Sequence, residues 1–301
     1  MFPGSLRNRA RRIVRLPLLS LGLLFGHPAA AQDYVSTAED VALGGIVLQE
    51  LASAAPEKDG PALLVQAALR LLDQPYEAGT QEGREERLRI YLTRTDCILF
   101  AETCLGLVLT AQRCGPDADF EDLAETLRTS RYRDGITDGY ASRLHYTTEW
   151  AQQGIDRGWL RDVTPVLGGI PDTRRIDFMS AHPDSYAPLK GESASAKDNR
   201  ARIAAVEERV NAIPRCYLPK ERLAAVEDRI QSGDILCLTT SVAGLDVSHV
   251  VIACRPAPDA RLGFIHASSA AGKVIIEPRT LEAYLNASRS LTGVRVLRLN
   301  R

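Results

Sequence analysis

The chain has 301 residues, with 37 lysines and arginines against 38 aspartates and glutamates, and a formal net charge of -1. Without the five arginines of the predicted signal peptide the chain is acidic, which argues against nucleic acid or an anionic membrane surface as the main partner. Hydrophobic residues make up 45% of the chain, which is enough to bury a sizeable core.

Residues 1–31 have the pattern of a signal peptide. Five arginines and no acidic residue precede a short apolar run, Leu18–Phe25, and the small residues 29–31 form a cleavage site. The apolar run is shorter than the roughly 20 residues that span a bilayer. Cleavage would leave 32 basic against 38 acidic side chains, a net charge of about -6. We predict a periplasmic or secreted protein without a membrane anchor, a monomer with one domain at residues 32–301.

The first half of the mature chain is predicted to be mostly helical. Ser36 and Glu39 have the spacing of a capping box, and apolar residues recur behind them at helical intervals. A polar stretch then leads into Cys97 and an apolar helix that should end before Gly115. Further helices are predicted at 61–72, 120–127, 197–213 and 219–230.

Cys97 lies at a predicted helix start, where Thr95 or Asp96 is a good N-cap because its side-chain oxygen can accept a backbone N–H of the first turn. The helix dipole would there stabilise a thiolate, the reactive form of cysteine. The alternative is a buried structural cysteine or half of a disulfide.

All six cysteines lie in the mature part, and an exported protein meets an oxidising environment in which some can pair. Cys237 and Cys254 lie on two predicted strands around one turn, so they are the first candidates for a bridge. The sequence alone does not fix the connectivity.

The middle of the chain, 130–189, is rich in arginine, histidine and aromatic residues between glycines and prolines. Such segments suit the lining of a polar ligand groove, since arginine holds carboxylates and aromatic rings stack on sugars. Ordinary packing and solvated charge are the alternative for any single residue of this segment.

Short β-branched runs separated by turn residues predict an antiparallel sheet in the last third. The strands are predicted at 235–239, 249–254, 262–266, 273–276 and 293–299, with a short helix at 279–286. Helices followed by strands favour an α+β fold.

Two of the four mature histidines, His249 and His266, begin or end predicted strands, and adjacent antiparallel strands can bring them side by side. A cysteine at a helix start with a histidine base and a polar orienting group is the Cys/His hydrolase arrangement. Cys97 would attack, His249 would carry the proton and His266 would orient it. A zinc site from these histidines and a cysteine competes, although no Cys-x-x-Cys or His-Glu-x-x-His spacing supports it.

Several motifs resemble one bacterial family along most of the chain. The nucleophile motif is Asp96-Cys97-x-x-Phe100-x-Glu102, although the intervening Ile98-Leu99 departs from the usual Val and Thr or Ser. The other blocks are 131–135, 142–150, 178–180, 233–235, 244–249, 266–269 and 293–298. Together they resemble the N-acetylmuramoyl-L-alanine amidase-like branch of the NlpC-type papain-like cysteine hydrolases.

The resemblance implies a papain-like fold, with Cys97, His249 and His266 as the catalytic set and no metal or cofactor. It implies that the substrate is a muropeptide or peptidoglycan fragment, cut between N-acetylmuramic acid and L-alanine, with anhydro-muropeptides favoured over intact wall. The substrate-binding residues it implies are Asp96, Arg133, Arg143, His145, Tyr146 and Ser248. Two alternatives stay open: an endopeptidase that cuts between L-alanine and D-glutamate, and a non-catalytic wall-binding protein.

Overall fold

The computed structural model describes residues 33–300, so the predicted signal peptide lies outside the described residues. Within this range the chain forms eight α-helices and ten β-strands. The helices are α1 (Ala38–Ala54), α2 (Gly60–Arg70), α3 (Cys97–Cys114), α4 (Phe120–Arg131), α5 (Thr147–Asp156), α6 (Phe178–Ala181), α7 (Ala194–Ala212) and α8 (Leu281–Ala287). The strands are β1 (Tyr34–Val35), β2 (Leu88–Arg89), β3 (Leu160–Asp162), β4 (Ile170–Pro171), β5 (Cys216–Pro219), β6 (Ile235–Thr240), β7 (Val247–Cys254), β8 (Gly263–Ser268), β9 (Lys273–Ile276) and β10 (Leu291–Leu299).

The capping box of α1 lies one residue beyond the predicted pair. Thr37 is the N-cap, and its hydroxyl and backbone N–H exchange hydrogen bonds with Asp40. Asp40 also accepts the N–H groups of Leu92 and Thr93 at 2.8 and 2.9 Å. This second role explains the shift, because it ties the start of α1 to the loop that enters the Cys97 helix.

Helix α3 has both ends where the sequence predicted them. Asp96 is the N-cap, and the helix ends before Gly115, whose φ of 62° suits glycine. The segment Cys97–Asp117 has a mean hydropathy of 1.4, long and apolar enough by composition to cross a membrane, but 67% of it is buried. This is what a central core helix requires, since α1, α2, α4 and the sheet all pack around it.

The large sheet is antiparallel and confirms the predicted α+β class. Its strands run in the order β4-β5-β10-β6-β7-β8-β9, and β3 also pairs with β10. On one face, residues such as Cys237 and Val250 share a core with α3. On the other face, Leu238 and Val251 pack with α8. Strand β7 therefore carries side chains towards both layers.

Three local predictions were wrong. The segment predicted as a helix at 219–230 forms two short 3-10 turns, Lys220–Ala225 and Glu227–Arg229. Strand β7 begins at Val247 and β8 ends at Ser268, so both histidines lie inside their strands rather than at the ends. Pairing with β6 extends β7 beyond its β-branched core, because Val247 bonds opposite Thr239 across a bulge.

The predicted Cys237–Cys254 bridge is also wrong. All six cysteines are free in the described chain, and Cys237 is paired across the sheet with Val250. Cys254 is four residues further along β7, which corresponds to about 13 Å of strand. A disulfide needs Cα atoms within roughly 7 Å, so the strand register forbids the bridge.

Candidate active site

Cys97 is the first residue of α3 and is half-buried against the sheet. Asp96 Oδ1 accepts the N–H groups of Ile98 and Leu99 at 3.0 and 2.9 Å, which fixes the first turn. The backbone N–H of Val250 hydrogen bonds to the Cys97 sulfur. Because Val250 follows His249 directly on β7, this contact places the thiol beside the histidine-bearing end of the strand.

The surroundings of Cys97 favour the thiol over the thiolate. Burial, and then the neighbouring Asp96 charge, raise the pKa of Cys97 to about 11, against hydrogen bonds from Val250 and the first helical turn. The expectation that the helix start favours the thiolate is therefore wrong in the free protein. The desolvation of a charged sulfur outweighs the helix N-terminus. A nucleophile here has to lose its proton during attack.

A chain of polar side chains extends from His249 into the protein. Its Nε2 lies 2.6 Å from Nδ1 of His266, whose Nε2 lies 3.3 Å from Glu277 Oε2. The latter contact is electrostatic, since His266 Nε2 makes no hydrogen bond within the described chain. Glu277 is held in turn by Arg279 at 2.6 Å. The four residues form one relay that ends in an ion pair.

The strand register produces this relay. Ile252 pairs with Ile265, and continuing that register makes His249 and His266 diagonal neighbours on one face. Their ring centroids are 4.9 Å apart. His266 pairs with Ile275 of β9, so Glu277 is again two residues from the directly opposite position. The expected approach of the two histidines is therefore present, with a third member added by β9.

The relay specifies which nitrogen of His249 faces outward. A carboxylate at His266 Nε2 favours the tautomer with its proton on that nitrogen, which leaves Nδ1 as an acceptor. His249 would then donate from Nε2 and keep an unprotonated Nδ1. Burial, and then the His266 charge, lower the pKa of His249 to about 3, and Glu277 opposes this. The His249 ring is therefore neutral at neutral pH.

Within residues 33–300, no hydrogen bond joins the Cys97 thiol to the His249 ring. Catalytic hydrogen bonds are often long in unliganded proteins and tighten when substrate binds. We therefore expect the Cys97 thiol and the His249 ring to come into hydrogen-bonding distance when substrate binds.

A groove of about 320 Å³ opens beside the start of α3, and we call it the Cys97 groove because Asp96 and Ile98, on either side of Cys97, line it. It brings together three of the predicted substrate-binding residues, Asp96, Arg143 and His145. Arg143 pairs with Glu82 at 2.7 Å and with Glu86 at 3.3 Å. Nitrogen Nε2 of His145 lies 2.8 Å from the Tyr140 carbonyl oxygen, and burial, then Arg143, lower its pKa to about 3.

The other three predicted binding residues lie outside this groove. The Arg133 guanidinium is held by both oxygens of Glu149, at 2.7 and 2.8 Å. Tyr146 is buried and donates to Glu207 at 2.7 Å. Ser248 is exposed beside His249 and does not line the groove. It also does not line a small cavity that Val250 and Ile98 help to form.

Sequence reasoning missed several residues of this site. Glu277 directly follows a predicted strand, but its approach to His266 depends on the pairing of His266 with Ile275, which the sequence does not specify. Tyr76 and Tyr284 interact with Cys97, since the sulfur contributes to raising the pKa of each phenol after burial. Ile98 and Leu99, the unusual pair after Cys97, both line the groove.

The groove also contains an ion pair in its wall. Glu102 accepts from Arg131 Nε at 2.8 Å, and both side chains are buried. Burial raises the pKa of Glu102 to about 7, although Arg131 opposes this. In the described chain no group of three His, Cys, Asp or Glu side chains is placed to hold a metal ion.

Comparison with known proteins identifies relatives of this chain. The family model described as AmiA-like, N-acetylmuramoyl-L-alanine amidase-like, matches residues 66–293. The chain belongs to the N-acetylmuramoyl-L-alanine amidase-like family. The match confirms the resemblance to the amidase-like family and identifies the protein as an amidase-like hydrolase. No curated protein matches the chain.

Solved structures agree with the family. The chain is 34% identical to an N-acetylmuramoyl-L-alanine amidase from Bacteroides uniformis, with a TM-score of 0.73 over 80% of this chain and 99% of the other. It is 38% identical to a proposed xylanase from Bacteroides fragilis, with a TM-score of 0.70 over 77% and 99%. A Legionella pneumophila protein at 18% identity shares the fold, with a TM-score of 0.65 over 88% and 97%.

Proposed function

We propose that this protein is an exported cysteine amidase with a papain-like, NlpC-type fold. It hydrolyses the amide between the lactyl group of N-acetylmuramic acid and L-alanine in released muropeptides, with anhydro-muropeptides favoured. The observation that carries the proposal is the relay from His249 through His266 to Glu277, beside a cysteine at a helix start. Family membership supplies the substrate class.

The relay supports a general-base mechanism. The neutral Nδ1 of His249 takes the Cys97 proton while the sulfur attacks the lactyl carbonyl carbon. The backbone N–H groups of Cys97 and Ile98, which lie around the sulfur, are the donors for the developing oxyanion. Glu277 stabilises the charge that spreads over the two imidazoles.

The proton that His249 takes from Cys97 is used again when the covalent intermediate forms. His249 returns it to the departing amine of L-alanine as the carbon–nitrogen bond breaks, which leaves a thioester between Cys97 and the muramoyl group. Water then attacks the thioester carbonyl carbon while His249 takes a proton from that water. The carbon–sulfur bond breaks, the lactyl group leaves as a carboxylic acid, and His249 returns the proton to the Cys97 sulfur. No cofactor takes part in either step.

The groove supports a substrate with carboxylates. Arg143 is buried, whereas its partner Glu82 is 47% exposed, so a substrate carboxylate can replace Glu82 at the guanidinium with little desolvation of that glutamate. Stem peptides carry such carboxylates next to L-alanine. His145, Tyr186 and Ile98 would then line the peptide side of the groove.

The test is a product assay on a defined anhydro-muropeptide, read by mass spectrometry. We expect a free peptide that begins with L-alanine together with an intact amino sugar. Alanine substitution of Cys97 should abolish turnover, while the half-buried Cys254→Ala serves as the matched cysteine control. Unchanged turnover by the Cys97 variant would contradict the mechanism.

The same products separate the alternatives. A sugar that keeps L-alanine would indicate the L-alanyl-D-glutamate endopeptidase, which uses the same three residues. A cleaved glycosidic bond would indicate a glycan hydrolase. Binding without turnover would indicate a wall-binding protein.

A further inference from the structure

A second, larger cavity of about 950 Å³ lies apart from the Cys97 groove and shares no lining residue with it. It is open to solvent, and its walls are the C-terminal ends of α5 and α7, the 162–175 segment, the start of β5 and the middle of β10. We call it the arginine cavity, because four arginines line it: Arg174, Arg175, Arg215 and Arg295.

Two of these arginines have buried donors without partners. Arg295 and Arg215 have only 6% and 7% of their side chains exposed. Nη1 of Arg295 and Nε of Arg215 make no hydrogen bond to any residue of the described chain. Leaving a buried donor unpaired lowers the stability of the fold by on the order of 1–3 kcal/mol, and by more when the donor is charged. Such donors are therefore few in native structures, and each one calls for an explanation.

The lining acids do not balance this charge. Asp162 binds Arg295 Nε at 2.8 Å, and Asp172 holds Arg174 with both oxygens. The same Asp172 reaches Arg215 only at 3.8 Å. Arg175 pairs outward with Glu208 at 2.5 Å. Three arginines therefore face two aspartates, which leaves about one positive charge.

A further carboxylate nearby does not supply the missing partner. Asp246 interacts with Arg174 and Arg215 at longer range, but its two oxygens accept the backbone N–H groups of Thr148 and Val247. Burial raises the pKa of Asp246, against the hydrogen bonds from Thr148 and Val247. Desolvation lowers the pKa of Arg215, as expected for a guanidinium short of a counter-ion.

The remaining walls are apolar, formed among others by Ile155, Pro171, Ala212 and Ile213. A cavity of this size, with apolar walls and a few converging polar groups, is typical of small-molecule sites. We propose that the arginine cavity binds an organic monocarboxylate, with the carboxylate on Arg215 and Arg295 and the apolar part against these walls. One unbalanced charge suits a carboxylate better than a phosphate dianion.

The proposal is tested by calorimetry on the mature protein with three probes: N-acetyl-L-alanyl-L-leucine, its C-terminal amide and inorganic phosphate. We expect one saturable site for the free acid, and binding at least about tenfold weaker for the amide and for phosphate, because each loses a charge-assisted contact or the apolar one. Equal binding of the acid and its amide, phosphate binding as tight as the acid, or no binding of the acid would overturn the proposal.

Variants locate the site. Arg215→Gln and Arg295→Gln should each weaken binding of the acid at least about tenfold. Two control variants should leave binding of the acid unchanged: Arg161→Gln, on the exposed side of β3, and Arg143→Ala, in the Cys97 groove.

The second control also tests where the acid binds. Loss of binding in Arg143→Ala alone would place the acid in the Cys97 groove and contradict the proposal. Substitution of Arg295 could destabilise the sheet, so binding is also checked on two chains that keep this residue. The acid should raise the melting temperature of the wild type and of Arg161→Gln, and the absence of this shift in both would contradict binding.

Discussion

The relay beside Cys97 and the arginine cavity differ in what lies next to their buried polar groups. In the relay, His249, His266, Glu277 and Arg279 follow one another, and Nε2 of His266, which makes no hydrogen bond, still has the Glu277 carboxylate 3.3 Å away. In the arginine cavity, Nε of Arg215 and Nη1 of Arg295 have no hydrogen-bond partner in residues 33–300, and the nearest carboxylate oxygen to Arg215 Nε is 3.8 Å away. A chain of neighbouring polar groups suits the proposed proton transfer, because it fixes orientation before substrate arrives. An incomplete set of donors instead suits a binding site whose ligand supplies the acceptor.

The largest expected difference between the two regions comes from substitution of His249, the proposed base. Substitution of His249 by alanine should lower kcat by about 10²–10⁴-fold, the usual contribution of a positioned general base. Binding of N-acetyl-L-alanyl-L-leucine in the arginine cavity should be unaffected. The exposed His182→Ala is the matched control and should retain full turnover. If the His249 variant kept wild-type kcat, the relay would have no role in proton transfer.

Glu277 tests the far end of the relay. Glu277→Gln keeps the shape but removes the negative charge, so the imidazolium formed during attack loses stabilisation and kcat should fall about ten- to a hundredfold. Since Glu277 raises the pKa of both histidines, the acid limb of the rate profile should also move to lower pH. A purely structural role would lower kcat without moving this limb. Glu282→Gln, on the surface of α8, is the control.

Arg143 tests the groove rather than the chemistry. Arg143→Ala should raise KM about tenfold or more for a muropeptide with intact carboxylates, with a smaller change in kcat, because one charge-assisted contact is lost. A substrate with that carboxylate amidated should bind the wild type and the variant alike. An equal loss with both substrates would show that Arg143 only supports the fold.

The smallest expected effect is in the pH dependence. The pKa of His249 is lowered to about 3, so the base stays neutral as pH falls below the ordinary histidine value of about 6.5. The ratio kcat/KM should therefore hold between pH 6.5 and 5. Unfolded histidines take up protons in this range while the buried ones do not, so stability falls as pH decreases, and folding must be checked at each pH. An acid limb centred at 6.5 would contradict the burial of the base.

The two regions also differ in what the sequence could predict. Helix α3 was placed at both ends because Asp96 and Gly115 are local signals. The approach of His249 and His266 followed from predicted adjacent strands. Glu277 was missed because its position depends on how β8 pairs with β9, which no local pattern specifies. Arg133 and Tyr146 were expected in the groove from their composition, yet Glu149 and Glu207 hold them elsewhere.

The arginine cavity had no local signal at all. Its charged residues come from positions 162–175, 215 and 295, which are close only because β3 and β5 both pair with β10. The burial of its arginines and their missing partners, on which the proposal rests, exist only in the folded chain. Such a site can be recognised in the folded structure but not in the amino-acid sequence alone.

The central claim is that Cys97 attacks the lactyl carbonyl carbon and forms a thioester. Rapid-quench mass spectrometry of the intact protein with an anhydro-muropeptide tests this most directly, because the mass of the adduct reports both the nucleophile and the bond. The account predicts a transient adduct of the anhydro-muramoyl group without alanine, mapped to Cys97. An adduct that retains L-alanine, or steady turnover with no adduct on Cys97, would contradict it.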